Sequence, residues 1–400
     1  MKTVAIISEY NPFHSGHEYQ IKRIREDLGA DAAVIAVMSG NYTQRGEAAI
    51  VNKHVRAKCA VNGGCNLVLE LPFPYSSSSA EYFARAAVSI ISKLGICDYI
   101  SFGSESGDIE ALKKQAEILS TDEFKSAYAR IFESDRSLGH PRICELAYRS
   151  LGVDLGVDFA PNNILALEYI KAIRDFGSDI SLHTVQRSGA GYNCDTVKEG
   201  EHPSALSVRE LIRGGNCADL PLPEYTRTLL AEAYDKGELP ADISRISAAL
   251  ISNLRLNPPC AETNIHDGGN GLYNRIQAAS LDASDFNTLL KLTVTKGYTT
   301  ARIRRVILNS LLGVTSSDVR LLPEYTQVLA MDEVGMLLLK NARKRTAISV
   351  LTKPSAQEGL SERAIAQKTL SDNADRIYEL MKPVPKSAAG VLTFTPYIKK

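Results

Sequence analysis

This 400-residue chain has no excess of charge of either sign, no paired-cysteine pattern and no long apolar run. Each absence removes a class of protein. Lysine plus arginine and aspartate plus glutamate both total 46, so any surface for a polyanion must be local. The seven cysteines (59, 65, 97, 144, 194, 217 and 260) are scattered and include no C-x-x-C pair. An odd, unpatterned set argues against a zinc site or disulfide framework and for reduced thiols in the cytoplasm. No apolar stretch approaches membrane-spanning length, so no membrane partner is expected. The first residues read as a strand, without the basic, apolar and small-residue regions of a leader. A G-x-G-x-x-G fingerprint and a G-x-x-x-x-G-K-[ST] loop are both missing, which leaves dinucleotide redox chemistry and a P-loop ATPase unsupported. No Ser-His-Asp or Cys-His array, metal-ligand set, internal repeat or low-complexity tract is legible.

What is present is an alternation of strand and helix patterns. Apolar runs at 4–7, 32–38, 66–71, 98–102 and 180–185 read as strands, separated by helical patterns such as 53–62 and 80–94. Strands alternating with helices give an α/β fold with a covered parallel sheet, whose ligands bind at the carboxyl ends of the strands. The length exceeds what one core usually serves, and the proline-rich stretch at 219–224 marks a break. The expected division is 1–218, a catalytic α/β domain, and 219–400, a mainly helical region. Helices are expected there at 225–235, 242–254, 270–281, 285–294 and 299–312, with short strands at 325–331 and 347–351.

The chain is organised around its first strand–helix junction. After the strand, Asn11-Pro12 breaks the run, and Tyr19, Ile21 and Ile24 recur at helical spacing from Gly16 onward. His14 and His17 stand where the turn feeds the helix, with Gly16 between them. Unpaired N–H groups and the helix dipole make such a terminus a phosphate site, to which imidazoles add donors. Ser39-Gly40-Asn41 and Gly103-Ser104-Glu105 also follow strands and should converge on the same place. A second candidate grip is the helix after Pro203-Ser204, whose first turns carry Arg209; an ordinary cap beside a solvated arginine is the alternative. With His14, His17, Arg187 and Arg209 as donors, the suited chemistry is attack on the α-phosphate of ATP with pyrophosphate leaving.

Lys296, Arg302, Arg304 and Arg305 fall within ten positions on one helical segment, with Tyr298 available for stacking. Acidic residues are absent from 286 to 317, which favours an RNA backbone over a helix face paired with acidic neighbours. Lys340, Arg343, Lys344 and Arg345 form a second basic patch at an expected helix end, where cations also complement the dipole.

H-S-G-H after a first strand resembles the H-x-G-H signature of the nucleotidyltransferase and class I aminoacyl-tRNA synthetase superfamily. More narrowly, Glu9-Tyr-Asn-Pro-Phe-His-Ser-Gly-His17, Val37-Met-Ser-Gly-Asn-Tyr-Thr-Gln-Arg-Gly-Glu47, Leu69-Glu-Leu-Pro-Phe73, Phe102-Gly-Ser-Glu-Ser-Gly-Asp108 and Pro161-Asn-Asn-Ile-Leu165 resemble the bacterial tRNA(Met) cytidine acetate ligases. The likeness covers most of the first 215 residues and continues more loosely through Tyr298-Thr-Thr-Ala-Arg-Ile-Arg304 and Thr352-Lys-Pro354.

The resemblance implies a Rossmann-like HxGH nucleotidyltransferase domain followed by a mainly helical C-terminal region. It implies that ATP, with Mg2+, activates acetate as acetyl-adenylate. The acetyl group then passes to N4 of the wobble cytidine of elongator tRNA(Met), giving N4-acetylcytidine, with no obligatory protein partner. Carried over by position, the ATP segment is Ile7, Ser8, Glu9, Tyr10, Asn11, Pro12, Phe13, His14, Ser15, Gly16, His17, Glu18, Tyr19 and Gln20. Gly103, Asn162 or Asn163, Arg187 and Arg209 join it, with His14 and His17 catalytic. Arg302, Arg304 and Arg305 become tRNA contacts by resemblance and by charge. One departure stands out: Leu206 lies where the family more typically has threonine, which removes a hydroxyl from the Ser204–Arg209 motif. Two other readings remain: an adenylyltransferase for a small phosphorylated metabolite, without tRNA, and a tRNA-binding protein with a degenerate nucleotide site.

Overall fold

The computed structural model describes residues 1–135, 138–153, 156–186, 205–215, 220–257 and 264–400. The first part alternates as expected: β1 (Thr3–Ser8), α1 (Ser15–Leu28), β2 (Ala33–Ser39), α2 (Lys53–Asn62), β3 (Leu67–Leu71), α3 (Ala80–Leu94) and β4 (Tyr99–Ser104). Four helices follow, α4 (Ile109–Ser120), α5 (Asp122–Ser134), α6 (His140–Ser150) and α7 (Pro161–Asp175), and then β5 (Ser181–Gln186). Next come α8 (Ala205–Arg213), α9 (Glu224–Asp235), α10 (Ser247–Leu256), α11 (Leu272–Asp282), α12 (Phe286–Thr293), α13 (Thr300–Leu312) and α14 (Ser316–Arg320). The chain closes with β6 (Tyr325–Met331), α15 (Glu333–Ala342), β7 (Ser349–Leu351), α16 (Glu362–Tyr378) and β8 (Tyr397–Ile398).

The sheet runs β5-β4-β1-β2-β3-β6-β7, with β8 also on β6. β1 pairs in parallel with β2 (Val4 opposite Val34) and with β4 (Val4 opposite Tyr99). The chain moves outward from β1 through β2 to β3 and then returns to β4 on the other side, so the topological switch lies between β1 and β4. Ligands of open α/β sheets bind above that point.

Both faces of the sheet are covered, which is why its strands read as continuous apolar runs. The period of two sorts them: Ala5, Ile35, Val37, Leu67 and Leu69 pack with Phe83, Ile90 and Ala166 of α3 and α7. Val4, Ile6, Val34, Ala36, Met38 and Val68 face Ile21 and Ile24 of α1 and Ala57 of α2 instead. Burying Ile21 and Ile24 contributes roughly 1.5–3 kcal/mol each, enough to seat α1 and thus the turn before it. A separate core joins α10, α11, α12 and α13 through Leu250, Ile276, Leu289 and Ile303, and includes Tyr42 and Phe73 from the α/β part.

Three features differ from the sequence reading. The sheet is not wholly parallel, because β6 enters antiparallel to β3, with Leu67 opposite Met331. β6, β7 and β8 all come from beyond residue 219, so the sheet crosses the expected 218/219 break; an apolar strand pattern does not state which edge it will join. Helix α16 escaped assignment because its buried positions include Gln367, Lys368, Ser371, Asp372 and Asp375, which mask any apolar stripe.

Candidate active site

The turn between β1 and α1 is braced from inside. Phe13 is fully buried, and the space for its ring exists because residue 63 is glycine; a Cβ there would fall 2.3 Å from the Phe13 ring. Tyr10 takes a left-handed φ of 46° and its hydroxyl lies 3.6 Å from Cys65 Sγ. The His17 ring sits edge-on to Tyr10, with centroids 4.7 Å apart, and stacks on His14 at 3.8 Å.

The two imidazoles cap α1 reciprocally. Gly16 N–H donates to His14 Nδ1 at 3.1 Å, and His14 N–H donates to His17 Nδ1 at 3.1 Å. This is a capping box built from histidines, and it settles the tautomer. An Nδ1 that accepts an N–H carries no proton, so each neutral ring holds its proton on Nε2. His14 and His17 are therefore oriented as Nε2–H donors at a helix N-terminus, the arrangement an anionic oxygen requires.

Both histidines line a cavity of about 620 Å³ above the carboxyl ends of β1 and β4, at the switch point. Of the expected nucleotide segment, Ile7, Ser8, Glu9, Tyr10, Asn11, His14, Gly16, His17, Tyr19 and Gln20 face it, together with Gly103, Asn162 and Arg209. Pro12, Phe13, Ser15, Glu18 and Asn163 do not line it. Glu18 accepts instead from the Tyr225 hydroxyl of α9 at 2.7 Å. The two asparagines part company: Asn163 is buried and donates to Asp158 Oδ1 at 2.7 Å, while Asn162 reaches the cavity and donates to Glu105 Oε1 at 2.6 Å. Gln20 is anchored through Ser101, whose hydroxyl lies 3.0 Å from His183 Nδ1; His183 Nε2 in turn meets Asp27 at 3.2 Å. Arg209 donates through Nη1 to Asn11 O at 2.9 Å, and Leu206 presents its apolar side chain to the cavity. Arg187 and Ser204 lie outside the described residues.

A second wall is the loop after β2, with Thr43, Gln44, Arg45 and Glu47 lining. Sequence reasoning missed what holds it. Arg56, 1 % exposed, donates to the carbonyl oxygens of Val51 (3.0 Å), Glu9 (2.6 Å), Ser39 (3.1 Å) and Gly40. Lys53 Nζ sits between Glu70 (2.7 Å) and Asp375 of α16 (2.6 Å), and Asp375 also accepts from Asn41 Nδ2 at 2.8 Å. Burial alone would lower the Lys53 pKa, but the carboxylates of Asp375 and Glu70 outweigh it and hold the ammonium charged. Burial pushes Glu70 up to about 7 against the pull of Lys53. Glu70 inside the apolar Leu69–Leu71 run was the one legible signal: a carboxylate in a doubly covered strand needs a buried partner.

The basic helix α13 forms the outer side. Thr299 and Arg305 line the cavity, whereas Lys296, Arg302 and Arg304 do not. The acidic partners absent from its own window come from elsewhere: Arg304 pairs with Glu47, and Arg305 pairs with Asp267 at 2.7 Å while donating to Gln44 O at 3.2 Å. Arg302 donates to the carbonyls of Asp267 (2.9 Å) and Gly269 (3.1 Å) and lies over the Tyr298 ring, which donates through its hydroxyl to Asn270 O. Tertiary partners thus overturn the expectation of an unpaired cluster with a free stacking tyrosine. Gly46 makes this docking possible, because a Cβ at its φ of 72° would come 2.7 Å from the Arg305 backbone nitrogen. Among the described residues, no group of three or more His, Cys, Asp or Glu is arranged to hold a metal ion, and no helix is long and apolar enough to cross a membrane.

Known proteins share this architecture along its whole length. The HIGH Nucleotidyl Transferase family matches residues 1–390. The tRNA(Met) cytidine acetate ligase of Thermoanaerobacter sp. (strain X514) is 36% identical over 409 residues, covering 100% of both chains. That of Acetivibrio thermocellus is 36% identical over 372 residues, covering 89% of each. The crystal structure of Thermotoga maritima TmcAL bound with alpha-thio ATP superposes with a TM-score of 0.89 at 28% identity, covering 100% of this chain and 99% of that one. The chain belongs to the HIGH nucleotidyl transferase family, among the tRNA(Met) cytidine acetate ligases.

Proposed function

We propose that this protein is an ATP-dependent ligase that activates acetate as acetyl-adenylate and transfers the acetyl group to N4 of the wobble cytidine of elongator tRNA(Met). The observation that carries this reading is the reciprocal histidine cap, which leaves Nε2 as the remaining donor on two imidazoles that line a cavity at the β1/β4 switch point. An acetate oxygen attacks the α-phosphorus, the bond to the bridging oxygen breaks, and pyrophosphate leaves with the electron pair. Charge accumulating on the phosphate oxygens is met by donors already in place, which is where such sites gain most of their rate. His14 and His17 would supply donors from the α1 terminus and Arg209 a guanidinium from α8. Asn162, Gly103 and Gln20 would shape the nucleotide site. Magnesium would accompany the triphosphate.

The helical part would receive the tRNA. Lys296, exposed on the approach to α13, and Arg302, half-buried beside Tyr298, would meet the phosphate backbone. Arg304 and Arg305 would fix the Gln44–Glu47 loop between the two substrates. The cytoplasm, where charged and uncharged tRNA reside, would be its location.

The test is incubation with ATP, labelled acetate and tRNA, omitting each in turn. Label in elongator tRNA(Met) that requires all three components is the expected result. An acetate-independent release of pyrophosphate with a phosphorylated metabolite as acceptor would favour an adenylyltransferase instead.

A further inference from the structure

Amide formation on a nucleobase amine needs a base. When N4 of cytidine attacks the acetyl carbon, the nitrogen gains positive charge and is expelled again unless its proton departs. The histidines are poorly suited to take it. Each already uses the Nδ1 lone pair to accept a backbone N–H, and each neutral ring carries its remaining proton on Nε2.

Two carboxylates line the cavity among the described residues, Glu9 and Glu47. Glu47 is held in an ion pair by Arg304. Glu9 follows directly after β1, five positions before the first histidine, and its Oε1 accepts the Gln44 N–H at 2.8 Å. No ion pair or further side-chain hydrogen bond joins it among the described residues. It therefore stands between the phosphate donors at the head of α1 and the loop that faces the helical part.

We propose that Glu9 is the general base of the acyl-transfer step, a role that rests on the ligase reading above. The N4–C bond forms, the bond between the acetyl carbon and the phosphate oxygen breaks with its electron pair passing to AMP, and the N4 proton moves to the Glu9 carboxylate. Solvent recovers that proton once AMP leaves. The surroundings suit the task. Burial carries the Glu9 pKa upward, against the lowering effects of the Gln44 N–H and of Arg209, Arg45 and Arg56. A carboxylate raised above its ordinary range is a stronger base.

Glu9→Gln tests this, because the amide oxygen can still accept from Gln44. Two half-reactions are measured: acetate-dependent exchange of pyrophosphate into ATP, and single-turnover transfer of labelled acetyl from the enzyme-bound adenylate to tRNA. Transfer should fall by about 10²–10⁴ while exchange falls by less than tenfold. The wild-type transfer rate should rise with pH through the Glu9 ionisation, and Glu9→Gln should lack that limb. Transfer at the wild-type rate overturns the proposal, and so does a parallel loss of both half-reactions, which would make Glu9 a positioning residue for the adenylate. Absence of any acetate-dependent exchange in the wild type would instead overturn the ligase reading itself.

Discussion

Asp375 Oδ2 and Lys53 Nζ lie 2.6 Å apart although 322 positions separate them in the chain. Glu70 completes the group, so one buried ammonium is shared by two buried carboxyl groups beneath the loop that walls the cavity. Lys53→Met removes the cation and leaves both acids buried. It should lower stability at pH 7 by about 3–5 kcal/mol in urea titration. Burial already raises Glu70 to about 7, and without the cation that carboxyl sits further above its unfolded value, so the folded state binds more protons and the lost stability should partly return as pH falls from 7 toward 5. Stability that is unaffected by the substitution, or that falls further on acidification, would contradict the buried triad.

His17→Ala removes a donor from the α1 terminus and one half of the reciprocal cap. Acetate-dependent pyrophosphate exchange should drop by about 10²–10³, while tRNA affinity in filter binding stays within about twofold. A collapse of tRNA binding would show that the turn serves both substrates.

Arg304 and Lys296 should separate in their response to salt. Lys296→Ala should reduce the slope of log affinity for tRNA against log salt by about 0.7–0.9, the value for one phosphate contact. Arg304→Ala should leave that slope alone and raise the KM for ATP, because its partner is Glu47 of the cavity wall. A reduced slope in Arg304→Ala would place a phosphate at that guanidinium.

Gly46→Ala forces a Cβ against the α13 backbone at a left-handed φ. Strain of about 1–2 kcal/mol from the dihedral adds to the clash, so the loop should detach from α13 before it tolerates the methyl group. Faster amide hydrogen exchange at Gln44 and Arg45, with little change in β1 and β2, is the expected reading.

Cys59 and Cys65 are buried, and burial pushes both thiols up to about 12. At pH 8 only about one molecule in 10⁴ carries a thiolate at either position, so native protein should leave them unmodified by iodoacetamide while urea exposes them. Peptide mapping would detect early labelling, which the structure does not allow.

The part of this molecule that local chemistry determines was legible in advance. Strands β1 to β5, the helix α2 and the His14–His17 junction follow from apolar runs, breaks and caps within a few residues of one another. So did the convergence of Gly103 with that junction, which the parallel topology dictates. What escaped was set by distant partners. Charge counted along 286–317 could not foresee Glu47 and Asp267, and α16 carries polar residues inward where a core stripe would be sought, because Asp375 meets Lys53, Gln367 meets Tyr75 and Lys368 pairs with Asp372. The proton positions on His14 and His17 likewise depend on backbone N–H groups that only the folded turn brings within reach.

Arg56 binds its neighbours solely through main-chain oxygens, those of Glu9, Ser39, Gly40 and Val51. A carbonyl is the same whatever side chain its residue bears. The loops at the ends of β1 and β2 can therefore change in sequence without loosening this anchor, whereas no other side chain at position 56 could gather four carbonyls at once. Tolerance to mutation is thus one-sided for this contact: it sets no limit on the side chains at 9, 39 and 51, whereas the guanidinium of Arg56 that joins them cannot be replaced.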